Sequence, residues 1–252
     1  MQILKVENIS KVYGTRRNSN QYTALRNISF EVNQGDFTGV MGASGSGKTT
    51  LLNILGSLDK PTTGKYMMNG IDIGALHKNE LAKHRIENIG FIFQDYNLLE
   101  TMTLKENIIL PLSLMGRDVK TMEAKLAGLA GDLGISHVIE KYPYEVSGGE
   151  QQRAAACRAL INNPKMVLAD EPTGNLDSKS GKDLLNLLSF INAEYKTTIL
   201  MVTHDVFAAS YCRKILFIRD GEIYNELYAG ADRKQFFDSI IDVMSMLGGE
   251  RK

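Results

Sequence analysis

The stretch GASGSGKT, Gly42 to Thr49, stands between an apolar run, FTGVM, and a segment, KTTLLNILGSL, whose apolar residues recur at helical spacing. It fits the G-x-x-x-x-G-K-[S/T] pattern in the strand, loop and helix context that the chemistry of a phosphate loop requires. Gly42, Gly45 and Gly47 let the backbone bend so that amides point at a β-phosphate, and the following helix adds the positive end of its dipole. Lys48 is expected to reach the β/γ oxygens and Thr49 to offer a hydroxyl to Mg²⁺. A plain glycine turn before a helix is the competing reading, and Lys-Thr with both flanks in place weighs against it. The nucleotide-binding set of this loop is Gly42, Ala43, Ser44, Gly45, Ser46, Gly47, Lys48, Thr49 and Thr50.

Upstream, MQILKVENISKVYG alternates apolar and polar residues like a strand and lacks the layout of a signal peptide, so it is expected to stay on the mature protein. TRRNSNQY is polar and aperiodic; ALRNISFEVNQGDFTGVM offers two strands broken by turn residues at 33–36. Downstream, PTTGKYMMNGID reads as a turn then a strand, and NIGFIFQ as a compact apolar strand. LKENIILPLSLMG, TMEAKLAGLAGDLGI and SGGEQQRAAACRALI are three successive helical runs, which places a helical insertion at about 95–160. The α/β rhythm returns in the strand KMVLAD, the helix SKSGKDLLNLLSFINAEY, the strand TTILMVTHD and a short helix at VFAASYC, which favours a mostly parallel sheet. KILFIRDGEIYNEL is a hairpin turning at Asp220 and Gly221. DRKQFFDSIIDVMSML puts Phe236, Phe237, Ile240, Ile241, Met244 and Leu247 on one helical stripe, expected to pack on the core.

The 252 residues suffice for one large α/β domain carrying an inserted subdomain. Lysine plus arginine number 29 and aspartate plus glutamate 29, so no bulk charge draws the chain to nucleic acid or anionic lipid. Cys157 and Cys212 have no metal-type spacing and read as buried or incidental thiols in a reducing compartment. No apolar stretch approaches the eighteen or so residues of a bilayer-crossing helix, so a membrane role has to come through a partner.

MVLADEP ends an apolar strand with two acids. Alone, such a pair is more often a cap or turn; beside a phosphate loop it acquires two tasks. Asp170 is expected to anchor Mg²⁺ through its water shell, and Glu171 to hold the attacking water as general base. His204, after TTILMVT, becomes a γ-phosphate contact when taken with those acids, although a lone histidine there is ordinarily structural. Gln94, at the end of NIGFIF, is an amide placed to touch Mg²⁺ or water.

GASGSGKT, FQD, VSGGEQQR, LADEPTGNLD and VTHD occur in that order, and together the chain resembles the nucleotide-binding subunit of ATP-binding cassette (ABC) transporters over nearly its whole length. The resemblance implies a P-loop NTPase fold of the α/β class with an N-terminal antiparallel β subdomain and an inserted α-helical subdomain. The catalytic core is then expected at about 1–94 and 161–230, the helical subdomain at 95–160 and a C-terminal helix at 231–252. It also implies why a second glycine-rich cradle exists: Ser147, Gly148 and Gly149 open a helix that faces the γ-phosphate held by the other subunit of a homodimer. Ser147 can cap that helix, and its free amides and dipole suit an anion. By the same resemblance Tyr13 stacks on adenine, with an ordinary strand tyrosine as the competing reading, and Asp177 in GNLD belongs to a loop that communicates across the dimer. Val146 and Glu150 stand where leucine and glutamine are commoner, a mild departure that leaves Glu150 in the binding set.

GFIFQDYNLLETMTLKENIILPL, SGGEQQR and DEPTGNLDS look like the branch serving macrolide exporters and lipoprotein-release systems, and AASYC with the Phe-Phe tail ending in MLGG is similar to bacitracin-resistance-type peptide antibiotic transporters. That implies ATP hydrolysis with Mg²⁺ at the cytoplasmic face of the membrane, an integral-membrane permease, a sensor histidine kinase reached through it, and no nucleic acid. A cell-division ATPase that signals to wall hydrolases carries the same motifs and remains the alternative, as does a lipoprotein-release or macrolide-type exporter. DNA-repair ATPases separate these motifs by long coiled coils, which a short neutral chain lacks.

Overall fold

The computed structural model describes residues 1–14 and 21–249, so most of the polar TRRNSNQY stretch, residues 15–20, lies outside the described residues. In chain order the elements are β1 (Gln2–Tyr13), β2 (Tyr22–Asn33), β3 (Phe37–Met41), α1 (Lys48–Leu55), β4 (Thr63–Met68), β5 (Ile71–Asp72), α2 (Lys78–Asn88), β6 (Ile89–Phe93), α3 (Leu104–Leu114) and α4 (Val119–Asp132). They continue with α5 (Gly148–Leu160), β7 (Met166–Asp170), α6 (Ser178–Tyr195), β8 (Thr198–Val202), α7 (Val206–Ala209), β9 (Lys214–Arg219), β10 (Glu222–Tyr228) and α8 (Arg233–Gly249). Contacts group the chain into two units, Met1–Leu81 with Thr198–Lys252, and Ala82–Thr197.

The first unit holds an antiparallel sheet ordered β2-β1-β4-β5 and a run of strands ordered β10-β9-β3-β8 in which β3 is parallel to both β8 and β9. In β2, alternation buries Ile28, Phe30 and Val32 while Ser29, Glu31 and Asn33 face outward. β3 and β8 are buried at every residue, Thr38 and Thr198 included, as parallel strands covered on both faces are. The β9–β10 hairpin turns where expected, with Asp220 and Gly221 both at positive φ (50° and 82°), the type I′ geometry that matches strand twist. Helix α8 buries Phe236, Ile240 and Val243, whereas Ile241 is exposed. Its stripe thus runs i, i+4, i+7 and takes in Val243, correcting the sequence expectation that placed Ile241 on the packed face. Arg233 pins the start of that helix: its guanidinium lies 3.6 Å from the Tyr211 ring centroid and its Nε donates to Ser210 Oγ at 3.0 Å.

The second unit pairs β6 in parallel with β7 and carries α3 to α6. Helix α5 buries Ala154, Ala155, Ala156 and Ala159, small side chains that let it approach its neighbours α3 and β6 closely. Thr103 and Glu106 start α3 with a capping box, and Pro111 sits within it. Helix α4 begins at Val119, two residues before the expected Thr121, because Asp118 caps it through a 2.9 Å bond from the Thr121 amide. Helix α2 has no counterpart among the sequence expectations: KNELAKHRIEN buries only His84 and so shows no apolar stripe. Cys157 and Cys212 are buried free thiols, and burial pushes the Cys157 thiol up to about 12, which keeps it unreactive.

Candidate nucleotide site

The phosphate loop leaves the end of β3 and enters α1 through Gly47, which has φ 106°. A Cβ there would stand 2.4 Å from the Ala24 carbonyl oxygen, and one on Gly42 2.2 Å from that of Ile218, so both positions tolerate only glycine. At Gly45 (φ 77°) nothing lies within 4 Å of such a Cβ, which leaves open space on that side of the loop. Lys48 is 6% exposed, and its ammonium donates to the carbonyls of Gly42 and Ala43, both at 2.9 Å. The cation therefore rests inside its own loop. Ser46 Oγ is buried and makes no hydrogen bond among the described residues. Open space above bent backbone, a buried cation and an unengaged hydroxyl fit a phosphate group.

His204 follows β8 by two residues and is exposed. Val40 of β3 is the register partner of Val202 of β8, and the Thr203 amide donates to the Val40 carbonyl at 3.1 Å. The phosphate loop and His204 thus emerge from the same ends of adjacent parallel strands, where open α/β sheets bind ligands. Asp205 then caps α7 by accepting from the Phe207 amide at 2.8 Å.

Tyr13 closes β1 opposite Tyr22. Its hydroxyl donates to Asp59 at 2.8 Å, and Lys11, itself paired with Asp59 at 2.6 Å, lies 4.8 Å from the ring centroid. Burial, then the Asp59 hydrogen bond, raises the phenol pKa. Tyr22 donates to the Gly45 carbonyl at 3.0 Å and so ties this sheet to the phosphate loop.

In the second unit Phe93 of β6 is the register partner of Asp170 of β7, so Gln94 and Glu171 leave neighbouring strands at one level. Glu171 holds φ 44°, a left-handed conformation uncommon outside glycine, of the kind that concentrates at functional sites. Gln152, fully buried on α5, donates to the carbonyls of Phe93 (3.3 Å) and Pro172 (2.6 Å) and spans both strand ends. Among the described residues no group of three His, Cys, Asp or Glu converges as a metal centre. Thr49 carries a hydroxyl, Asp170 a carboxylate and Gln94 an amide, each the kind of oxygen donor that Mg²⁺ takes.

Ser147 caps α5 in a box with Glu150: Oε2 of Glu150 accepts from the Ser147 amide at 2.9 Å and from its hydroxyl at 2.6 Å. A Cβ on Gly148 would come 2.8 Å from the Tyr96 hydroxyl, and one on Gly149 3.1 Å from Ser180 Oγ, so both glycines permit close approach. Asp177 caps α6 through the amides of Lys179 and Ser180, each at 3.0 Å. The second unit thus gathers Gln94, Asp170, Glu171, the Ser147–Glu150 segment and Asp177, while the first carries Tyr13, the phosphate loop and His204. Sequence reasoning missed Tyr22, Tyr96, Gln152 and Asn175, whose partners are distant in the chain and whose residue types carry no local signal.

A glycine-bent loop between a parallel strand and a helix, closed by a buried lysine, defines a P-loop nucleotide-binding fold. The family model described as ABC transporter matches residues 25–174, and the chain belongs to that family. It is 51% identical over 99% of its length to an uncharacterised ABC transporter ATP-binding protein of Bacillus subtilis, YvcR, covering 96% of that protein. It is 49% identical over 99% to the bacitracin export ATP-binding protein BceA of Halalkalibacterium halodurans, covering 98% of it. The dimeric post-hydrolysis structure of the ATP-binding cassette MJ0796 bound to ADP and Pi superposes with a TM-score of 0.83 at 36% identity, over 91% of this chain and all of that one. The chain is an ABC-type ATP hydrolase.

Proposed function

We propose that this chain dimerises on ATP and powers an integral-membrane permease from the cytoplasmic face of the membrane, conferring resistance to antimicrobial peptides such as bacitracin or lantibiotics. The observation that carries this reading is the likeness to BceA, which runs through the C-terminal helix as well as the nucleotide motifs. No helix among the described residues is long and apolar enough to cross a membrane, which accords with a separate permease. A sensor histidine kinase reached through that permease completes the assembly. In this scheme residues 95–160 are the helical subdomain, 1–94 and 161–230 the catalytic core, and 231–252 the C-terminal segment, of which 250–252 lie outside the described residues.

Within each subunit Tyr13 stacks on adenine, while the amides of residues 42–50 and the Lys48 ammonium hold the β- and γ-phosphates. Thr49, Asp170 and Gln94 hold Mg²⁺, which neutralises phosphate charge when bound. Glu171 orients the attacking water and takes its proton on a carboxylate oxygen. His204 contacts the γ-phosphate. Ser147, Gly148, Gly149 and Glu150 present the α5 N-terminus to the nucleotide of the opposite subunit, and Asp177 lies in the loop that communicates between the two.

Deleting the gene tests the physiological part: cells are expected to become sensitive to bacitracin-like or lantibiotic-like peptides. Unchanged sensitivity across such a panel, with a division defect instead, would transfer the chain to the wall-hydrolase signalling alternative.

A further inference from the structure

Asn175, exposed in the turn after β7, is bound to Gln94 from both ends of its side chain. Its Oδ1 accepts from Gln94 Nε2 at 3.2 Å, and its Nδ2 donates to the Gln94 carbonyl at 3.3 Å and to Asp95 Oδ1 at 2.8 Å. The Tyr96 hydroxyl donates to the Asn175 carbonyl at 3.3 Å and holds the turn from its other side. A Cβ on Gly174 would stand 2.9 Å from Gln94 Cδ and Nε2, so the neighbouring glycine lets the amide lie flat on the turn.

These bonds settle the orientation of both amides. A backbone carbonyl and a carboxylate only accept, so Asn175 has to offer them Nδ2, which turns Oδ1 toward Gln94. Oδ1 also only accepts, so Gln94 has to answer with Nε2. Its Oε1 is then the end presented elsewhere, and oxygen is the only end of an amide that ligates a hard cation or accepts a hydrogen bond from water.

We infer that Asn175 is a positioning residue that fixes the amide of Gln94 with its oxygen outward, toward Mg²⁺ or the attacking water. The inference rests on the assignment of Gln94 to that metal and water. An amide free to flip presents nitrogen part of the time, and a nitrogen donor facing Mg²⁺ opposes binding.

The test measures the affinity of the full chain for a fluorescent ATP analogue in Mg²⁺ and in EDTA, for Asn175→Leu, Gln94→Ala and the double variant. Leucine keeps the branching and heavy-atom count of asparagine and removes both hydrogen-bonding ends, and the position is exposed, so the fold is retained. Asn175→Leu is expected to reduce the Mg²⁺-dependent gain in affinity about three- to tenfold, the scale of one hydrogen bond, while affinity in EDTA stays within about twofold. The double variant is expected to match Gln94→Ala, because the two residues act as one unit. Steady-state hydrolysis is expected to fall in parallel. A full Mg²⁺ gain in Asn175→Leu, with the gain lost in Gln94→Ala, overturns this inference and leaves the metal role of Gln94 standing. A full gain in Gln94→Ala overturns that role and the inference together, and losses that multiply in the double variant overturn the coupling.

Discussion

Glu150 and Ser147 each satisfy the other at the start of α5: the carboxylate takes the Ser147 amide and hydroxyl on one oxygen, and the Ser147 hydroxyl takes the Glu150 amide at 3.4 Å. His137 Nε2 lies 3.2 Å from the second carboxylate oxygen. The Ser147 side-chain bond first, its backbone bond second and His137 after them hold the Glu150 carboxyl below its ordinary value of 4.5. A depressed folded pKa contributes stability that is present above the unfolded pKa and is lost as pH falls through the folded one.

Glu150→Ala is therefore expected to cost about 1 kcal/mol of stability at neutral pH, the usual scale of a helix cap. The gap to wild type is expected to close in acid, below the ordinary carboxylate value. Thermal melts of both proteins across pH check this; a gap of constant size down to pH ~3 would remove the capping carboxylate as its cause.

Gln152→Leu is expected to destabilise the fold by about 1–3 kcal/mol, since the buried carbonyl of Pro172 and the half-buried one of Phe93 each lose a donor. Urea unfolding measures it. A variant as stable as wild type would mean that the ends of β6 and β7 are held without that amide.

Lys48→Ala is expected to abolish ATP binding while the protein stays folded, because it removes the buried cation of the phosphate loop. Equilibrium nucleotide binding decides it, and ordinary affinity in a folded variant would make the loop ornamental.

Glu171→Gln keeps size and hydrogen bonding but loses basicity, so hydrolysis is expected to fall about 10²–10⁴-fold with ATP binding intact. Single-turnover hydrolysis reads the effect. A near wild-type rate would take the general base away from Glu171.

What the chain discloses to a reader of its sequence follows from how local each signal is. The strand, loop and helix of the phosphate loop, the strand that ends at Asp170 and the Asp220-Gly221 hairpin were legible because their signals are written in consecutive residues. Helix α2 was not, since only His84 of its eleven residues is buried and apolar periodicity is what reveals a helix. Asn175 and Gln152 were also invisible, because the partners of Asn175 lie some eighty residues away and those of Gln152 at the end of β6 and just after β7. The stripe of α8 was read with Ile241 in place of Val243, since both are apolar and only packing distinguishes them.

The central claim, that the Ser147 cradle serves the nucleotide of a second subunit, is tested most directly by ATP-dependent cross-linking in a mixture of Lys48→Ala and Ser147→Arg subunits. Each variant alone is expected to fail to associate on ATP. In the mixed dimer one site joins the intact phosphate loop of one subunit to the intact Ser147 segment of the other, while the second site carries both defects. The account predicts that ATP-dependent cross-links between Lys48-side and Ser147-side surfaces return in the mixture. If the cradle served its own chain, every site in the mixture would be broken; no cross-link in the mixture, under conditions where wild type cross-links, would contradict the account.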